Sequence, residues 1–222
     1  MGYTWDFEVL WTFRQVFIRG AIMTSYLTLI ATALGVMIGL GLAGLRASPL
    51  APARWLSIAY IEFFRTTPAL VQLVWIYYSL PIFTGLQLPS FASVAIGLGL
   101  HSAAYFAEIF RAGIQSIERG QSDAARSLGM SRHQAMRRII LPQAVQRMIP
   151  PFINEFVTIA KLTTLGSMLA VYELMHEANN LIVSVFRPLE IYTVLALVFF
   201  IILFPITLCA QWLERRWVKR KY

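Results

Sequence analysis

Residues 120–143 read GQSDAARSLGMSRHQAMRRIILPQ, two short helical patterns that meet at Gly129 and are studded with arginine. Ser122 is placed to cap the first helix, DAARSL, with Asp123 in its first turn, where a negative charge suits the helix dipole. Ala124 and Ala125 carry almost no side chain, so another surface could approach that backbone closely. Gly129 fits the left-handed residue that ends a helix. Ser131 and Gln134 form an S-x-x-Q capping box for the second helix, RHQAMRRII. Pro142 either stops that helix or opens the next at its first turn. The pattern predicts a capped helix–turn–helix elbow over about 118–142.

The chain around this elbow is very apolar. Of 222 residues, 58% are hydrophobic and 14% charged, with a mean hydropathy of +0.63. Soluble domains are about 45–50% apolar and about 25% charged. One core of this size cannot hide the excess, so bilayer is the expected solvent and one membrane domain the expected organisation. Five apolar segments, roughly 20–45, 55–80, 90–110, 145–169 and 191–212, each reach the ~20 residues a spanning helix needs. The second contains Glu62, Arg65 and Pro68. Residues 1–19 mix aromatics with charges and read as an interfacial segment, followed by a transmembrane domain over 20–213 and a basic tail over 214–222. Asp6 and Glu8 precede any long apolar run, unlike the basic opening of a cleaved signal peptide, so the first span is expected to stay. The lone cysteine, Cys209, permits no intrachain disulfide and reads as an inert small hydrophobe.

Charge supplies orientation. Arg46 and Arg54 follow the first span. Between spans three and four lie seven arginines (Arg111, Arg119, Arg126, Arg132, Arg137, Arg138 and Arg147) against Glu118 and Asp123. The tail ERRWVKRKY has five basic residues and Glu214. Residues 1–19 sum to zero, the link PIFTGLQLPS is uncharged, and 167–190 carry Glu173, Glu177 and Glu190 against Arg187. Basic segments alternate with neutral or acidic ones. The positive-inside rule then expects the N-terminus outside, the C-terminus inside and the elbow in the cytoplasm. The net charge of +8 is thereby topogenic. An elbow tethered at both ends to membrane spans makes a DNA-reading motif a minor alternative, and no nucleic-acid partner is expected.

The elbow's spacing of Asp123-Ala124-Ala125, Gly129, Ile139 and Leu141-Pro142 resembles the cytoplasmic loop signature of ABC importer permeases, more narrowly those of polar amino acid importers. Further matching stretches are FFRTTPALVQLVWIYYSLP, HSAAYFAEIFRAGIQSIERGQ, ILPQAVQRMIPPFINEF and KLTTL. The resemblance implies an all-α membrane protein of the type I permease fold with five transmembrane helices, in a bacterial cytoplasmic (inner) membrane. It implies that two permease subunits, the same or related chains, enclose a substrate path. An extracytoplasmic solute-binding protein would deliver the amino acid. The loop would dock on a dimer of ABC ATPase subunits through Asp123, Ala124, Ala125, Arg126, Gly129, Ser131, Leu141 and Pro142. ATP and Mg would be bound there, with no cofactor on this chain, which has no G-x-x-x-x-G-K-[ST] stretch. A formal G-x-G-x-x-G at Gly39, Gly41 and Gly44 lies inside an apolar span; Gly35 and Gly39 read better as a close helix–helix contact.

Ionisable groups within spans are costly and so point to protein or water. Glu62 and Arg65 have pairing spacing and either line the substrate path or form an internal ion pair. Glu108 and Arg111 repeat that spacing and read as a structural pair anchoring the elbow. Asn154 and Lys161 share one face of span four, with Glu155 beside them; Lys161, Thr163 and Thr164 could donate to an amino acid carboxylate. The family often has an acid after this lysine where Leu162 stands here, which favours a heterodimer whose other permease carries the acid, or else fits a different substrate charge. His101 reads as a hydrogen-bonded packing residue and His133 as solvated on the elbow. His176, spaced with Glu173 and Glu177, could hold a metal but reads rather as part of a wet outer-face helix, so no metal is expected. No nucleophile or catalytic set is present, so the chain is expected not to be an enzyme. An ATP-independent secondary carrier or channel subunit is the alternative reading.

Overall fold

The computed structural model describes residues 4–218; residues 1–3 of the interfacial segment and 219–222 of the basic tail lie outside them. The described residues are helical, with no strand. The helices are α1 (Glu8–Thr12), α2 (Arg14–Arg46), α3 (Ala51–Thr66), α4 (Ala69–Val74), α5 (Leu80–Thr84), α6 (Ser90–Gln115), α7 (Arg119–Ser127), α8 (Arg132–Ala135), α9 (Leu141–Leu162), α10 (Leu174–Val185) and α11 (Pro188–Val218). Wide π turns at Trp75–Ser79 and Met136–Ile140 and a 3₁₀ turn at Thr163–Leu169 join some of them.

The small residues of SVAIGLGLHSAAYFA make α6 the central post. Its apolar stretch is 67% buried, against 17% for α11. Lipid gives little hydrophobic drive between helices, so close packing must hold them together. Gly35 and Gly39 supply it, as the sequence led one to expect. A Cβ at Gly39 would lie 2.8 Å from Phe106 Cβ and 2.9 Å from the Ala103 carbonyl oxygen, and one at Gly35 would meet Ser102 and Phe106. Gly41 and Gly44 touch nothing within 4 Å, which leaves the G-x-G-x-x-G pattern a packing feature. Leu27, Ala31, Leu98, Phe106 and Ile159 form the core where α2, α6 and α9 meet.

The expected spans are not all single helices. Arg14–Arg46, Ser90–Gln115 and Pro188–Arg216 are long and apolar enough to cross a membrane. The fourth expected span qualifies together with α10, across a bend of 48°. The second is broken at Thr67–Pro68. Thr67 is extended (φ −99°, ψ 142°), as the residue before a proline prefers. Gln72 splints the break: its Nε2 donates to the carbonyls of Phe64 and Thr67 at 3.1 Å and to Thr67 Oγ1 at 2.6 Å. Its Oε1 lies 3.0 Å from His101 Nδ1, so His101 is the hydrogen-bonded packing residue expected. At the other end, α2 begins at Arg14, so Arg14 and Arg19 of the interfacial segment belong to the first long helix.

The two ends of α2 separate two kinds of loop. Near its start, the Asp6 N–H donates to Glu190 at 3.1 Å, Arg187 donates to the Thr4 carbonyl at 2.9 Å, and Leu174 N–H donates to Thr24 Oγ1 at 3.1 Å. At its finish, Arg46 pairs with Glu108. The neutral and acidic segments thus gather at one end of the molecule, and the first two basic segments meet at the other.

Candidate functional site

The elbow is built as two capped arms. The first, α7, begins at Arg119 with Glu118 at its N-cap, so Ser122 and Asp123 lie a turn further in than the sequence suggested, and Ser122 caps nothing. Arg119 and Gln121 are good helix formers and Gly120 falls only in the first turn, so the helix starts before Ser122. Gly129 (φ +77°) ends α7. Its N–H donates to the Arg126 carbonyl at 2.9 Å while Met130 N–H donates to that of Ala125 at 3.1 Å, the paired bonds of a Schellman cap. The capping box of the second arm is present: Gln134 N–H donates to Ser131 Oγ at 3.3 Å and Ser131 N–H to Gln134 Oε1 at 2.9 Å. Pro142 does not stop that arm. The π turn Met136–Ile140 widens the helix just before it, and the chain continues into α9 with Pro142 in its first turn, where a missing N–H matters least.

Burial redistributes the roles expected on the elbow. Ala125 is 1% exposed and packs inside the chain, as does Ala135. Asp123, Ala124, Arg126, Gly129, Ser131, Leu141 and Pro142 are exposed. Leu128, which sequence reasoning did not single out, is 78% exposed at the tip. Leu128 thus stands bare, with Ala124 one turn earlier also exposed, on a loop outside the apolar spans. Its only sequence signal was an apolar residue directly before the capping glycine.

Glu108 ties the elbow's root to α2. It accepts from Arg111 Nε at 2.9 Å and Nη2 at 2.6 Å, and also pairs with Arg46. Arg147 donates to the Ser116 carbonyl from the α9 side. The expected Glu108–Arg111 anchor is therefore present and reaches one helix further. Glu108→Gln leaves two cations sharing a neutral amide. The cluster is only partly exposed, so a loss of about 1–3 kcal/mol is expected. Thermal unfolding of the purified chain in detergent should show a lower midpoint for Glu108→Gln and an unchanged one for Glu62→Gln. Equal midpoints for both would mean the cluster does not hold α2 to α6.

The residues expected on a substrate path do not share one place. Arg65 and Asn154 line one cavity of about 390 Å³, with Tyr105, Glu155 and Thr158. The Arg65 guanidinium lies 5.7 Å from the Tyr105 ring centroid and forms no ion pair with Glu62, which is exposed outside that cavity. Lys161 is exposed further along α9, completing with Pro151, Asn154 and Thr158 an exposed stripe at alternating three- and four-residue steps. Thr163 is buried and its hydroxyl donates to the Ala160 carbonyl at 2.8 Å. Thr164 lines a second cavity of about 480 Å³ with Met175, Asn179 and Tyr192. Glu155 and Tyr105 are additions from the structure; only the former stood out in the sequence, as an acid in an apolar run.

The acid–histidine group at the start of α10 is only partly exposed. Glu173 is fully buried and caps α10, accepting from the N–H groups of Met175 at 2.9 Å and His176 at 2.8 Å. No group of three metal-ligating side chains occurs among the described residues. His133 is exposed on the elbow.

An all-helical membrane domain whose basic loop folds into a capped elbow is the architecture of an ABC importer permease. The chain belongs to the family described as the binding-protein-dependent transport system inner membrane component, which matches residues 12–219. It is similar to the probable glutamine ABC transporter permease protein GlnM of Bacillus subtilis (strain 168), 34% identical over 209 residues, covering 94% of this chain and 96% of that one. The glutamine transport system permease protein GlnP of Escherichia coli (strain K12) is 34% identical over 212 residues, covering 95% and 97%. A solved structure described as an amino acid ABC transporter with histidines superposes with a TM-score of 0.91 at 37% identity, covering 96% of this chain and all of that chain.

Proposed function

We propose that this chain is the permease subunit of an ATP-driven importer for a polar amino acid. The observation that carries the reading is the elbow: Ala124, Leu128 and Gly129 stand exposed on a rigid, doubly capped turn. Such a turn suits a groove on a separate ATPase subunit, where ATP and Mg would be bound; two such subunits would serve two permeases. The relatives' names support the substrate class, and glutamine appears in two of them. The partner permease is a second copy or a related chain, and Leu162 favours the related one. An extracytoplasmic binding protein delivers the amino acid. The elbow and tail face the cytoplasm and the N-terminus faces out, since the arginine-rich elbow segment meets the Arg46 end of α2, opposite the end where the N-terminal and acidic segments meet. The exposed stripe on α9, from Asn154 to Lys161, faces the path or the partner permease, because lipid is a poor neighbour for it.

Reconstitution tests this. Vesicles holding this chain, its ATPase and its partner permease should accumulate a radiolabelled polar amino acid only when binding protein and ATP are both supplied. In the same vesicles, a cysteine placed in the 81–90 link of a Cys209→Ala chain should react with an impermeant reagent from the outer side alone. Uptake that runs without ATP would make the chain a secondary carrier instead.

A further inference from the structure

A cavity of about 330 Å³ lies between the two arms of the elbow, lined by Ser122 and Arg126 of α7 and by Arg132, Ala135, Met136 and Ile140 of the second arm. Cavities of about 300–1,000 Å³ are the size that holds small molecules. Two guanidinium groups share this one cleft, and both residues are exposed. Neither enters an ion pair among the described residues. The acids nearest in sequence, Glu118 and Asp123, do not line the cleft and form no ion pair among the described residues either. Like charges held together repel, so the cleft is complementary to an anion. Two planar forks suit a phosphate group, whose oxygens can accept from each in bidentate fashion. Ser122 caps nothing in α7, which leaves its hydroxyl to donate.

The direction of the cleft selects the source of that phosphate. A helix turns once in about 3.6 residues, so residues four apart share a face and residues two apart lie on nearly opposite faces. Ser122 and Arg126 form one face of α7, and Ala124 and Leu128 form the opposite one. An ATPase seated on Ala124 and Leu128 leaves the cleft on the side turned back toward the bilayer. Met136 and Ile140 make the rest of the wall apolar, and Ile140 leads directly into α9. The cytoplasmic leaflet is the one that presents anionic headgroups to basic segments.

We propose that the cleft between the elbow's arms binds the phosphate of an anionic phospholipid, with Arg126 and Arg132 as the two forks and Ser122 as a further donor. The inference rests on the permease reading, which puts the elbow in the cytoplasm, and goes beyond it. It moves Arg126 from the ATPase contact expected of it to the opposite face. The lipid ties both arms to the membrane surface while Ala124 and Leu128 stay free for the ATPase.

Titration of the purified permease–ATPase complex in detergent with short-chain phosphatidylglycerol tests it, with phosphatidylcholine of the same chain length and inorganic phosphate as the other arms. Wild type should bind phosphatidylglycerol about tenfold or more tightly than either, as two arginines at one headgroup allow. Arg126→Gln combined with Arg132→Gln should remove that preference and elute as wild type on size exclusion, since both side chains are exposed. Arg137→Gln with Arg138→Gln takes the same charge from the neighbouring π turn, outside the cleft, and should keep the preference. Equal loss in the two pairs overturns the proposal, because diffuse attraction to any basic surface gives that pattern. Unchanged binding in the Arg126 and Arg132 pair overturns it too. So does a wild-type complex that does not distinguish the two lipids, whatever the variants do. Inorganic phosphate binding as tightly as phosphatidylglycerol overturns it by making the cleft a site for a free anion. Release of the ATPase by the Arg126 and Arg132 pair, with lipid binding intact, overturns it by assigning these arginines to an acid on the ATPase. The permease reading fails separately, if wild-type vesicles show no ATP-driven uptake of any amino acid.

Discussion

Gly129→Val should leave the chain inserted in the membrane and lower coupled uptake more than tenfold. The cause is backbone conformation alone. Gly129 sits at φ +77°, and a Cβ added there meets nothing within 4 Å. A side chain therefore has room but not the dihedral angle: the left-handed region costs an L-residue about 1–2 kcal/mol, and more when it is β-branched. Valine would draw the turn out of that region and break the paired bonds from Gly129 and Met130 to the end of α7. Those bonds set the angle between the arms, so Ala124 and Leu128 would no longer stand where the proposed ATPase contact would meet them. Asparagine tolerates the left-handed region, so Gly129→Asn should keep most activity. Ala124→Trp should uncouple hydrolysis from uptake by bulk at the contact face while the elbow stays folded. Ala125→Trp should do so by unfolding the elbow, because Ala125 is packed inside it, and limited proteolysis would separate the two. Wild-type uptake and binding-protein-stimulated hydrolysis in both Gly129→Val and Ala124→Trp would remove the elbow from the coupling route.

Local signals in the sequence were read well where one short segment determines the geometry. Ser131 and Gln134 formed their box and Gly129 took the left-handed turn, because each needs only neighbours a few residues away. Gly35 and Gly39 foretold a close helix contact, but not that Phe106 and Ala103 would be on the other side. Ser122 misled, since a capping residue is only an option and the helix could start earlier, with Gly120 in its first turn. Pro142 was ambiguous because the widened turn that accommodates it depends on how the arm enters α9. The cavity was the least legible. Arg65, Tyr105 and Glu155 come from three helices, and Glu155 announces itself only by being an acid in an apolar run, while Gln72 and His101, which hold the break beside Arg65, are 29 residues apart.

Gly39→Leu should prevent most of the chain from reaching a folded, monodisperse state. The neighbours of an added Cβ decide this. At Gly39 they include the Ala103 carbonyl oxygen at 2.9 Å and the Ala107 nitrogen at 3.1 Å; these are backbone atoms of α6 and cannot swing aside. The helices would have to part. Overpacking a well-fitted site typically costs about 1–3 kcal/mol, and here the separation spreads. Leu42, Ile61, Ala103, Ala104 and Ala107 share the adjoining core, Ser57 Oγ donates to the Leu42 carbonyl at 2.8 Å, and Arg46 reaches Glu108 two turns on. The shared core and the Arg46–Glu108 pair need α2 and α6 at their present distance, and the Ser57 bond hangs α3 on the same stretch of α2, so one leucine strains the packing, the anchor of the elbow and the seat of α3 together. Gly41→Leu and Gly44→Leu are the controls, because added side chains there meet nothing within 4 Å and enter the surroundings of α2 instead. Size-exclusion profiles of the three variants in detergent should show Gly39→Leu aggregated or lost, with the other two eluting as wild type. A Gly39→Leu chain with a wild-type profile and melting point would mean that α2 and α6 are held apart by something other than this glycine contact.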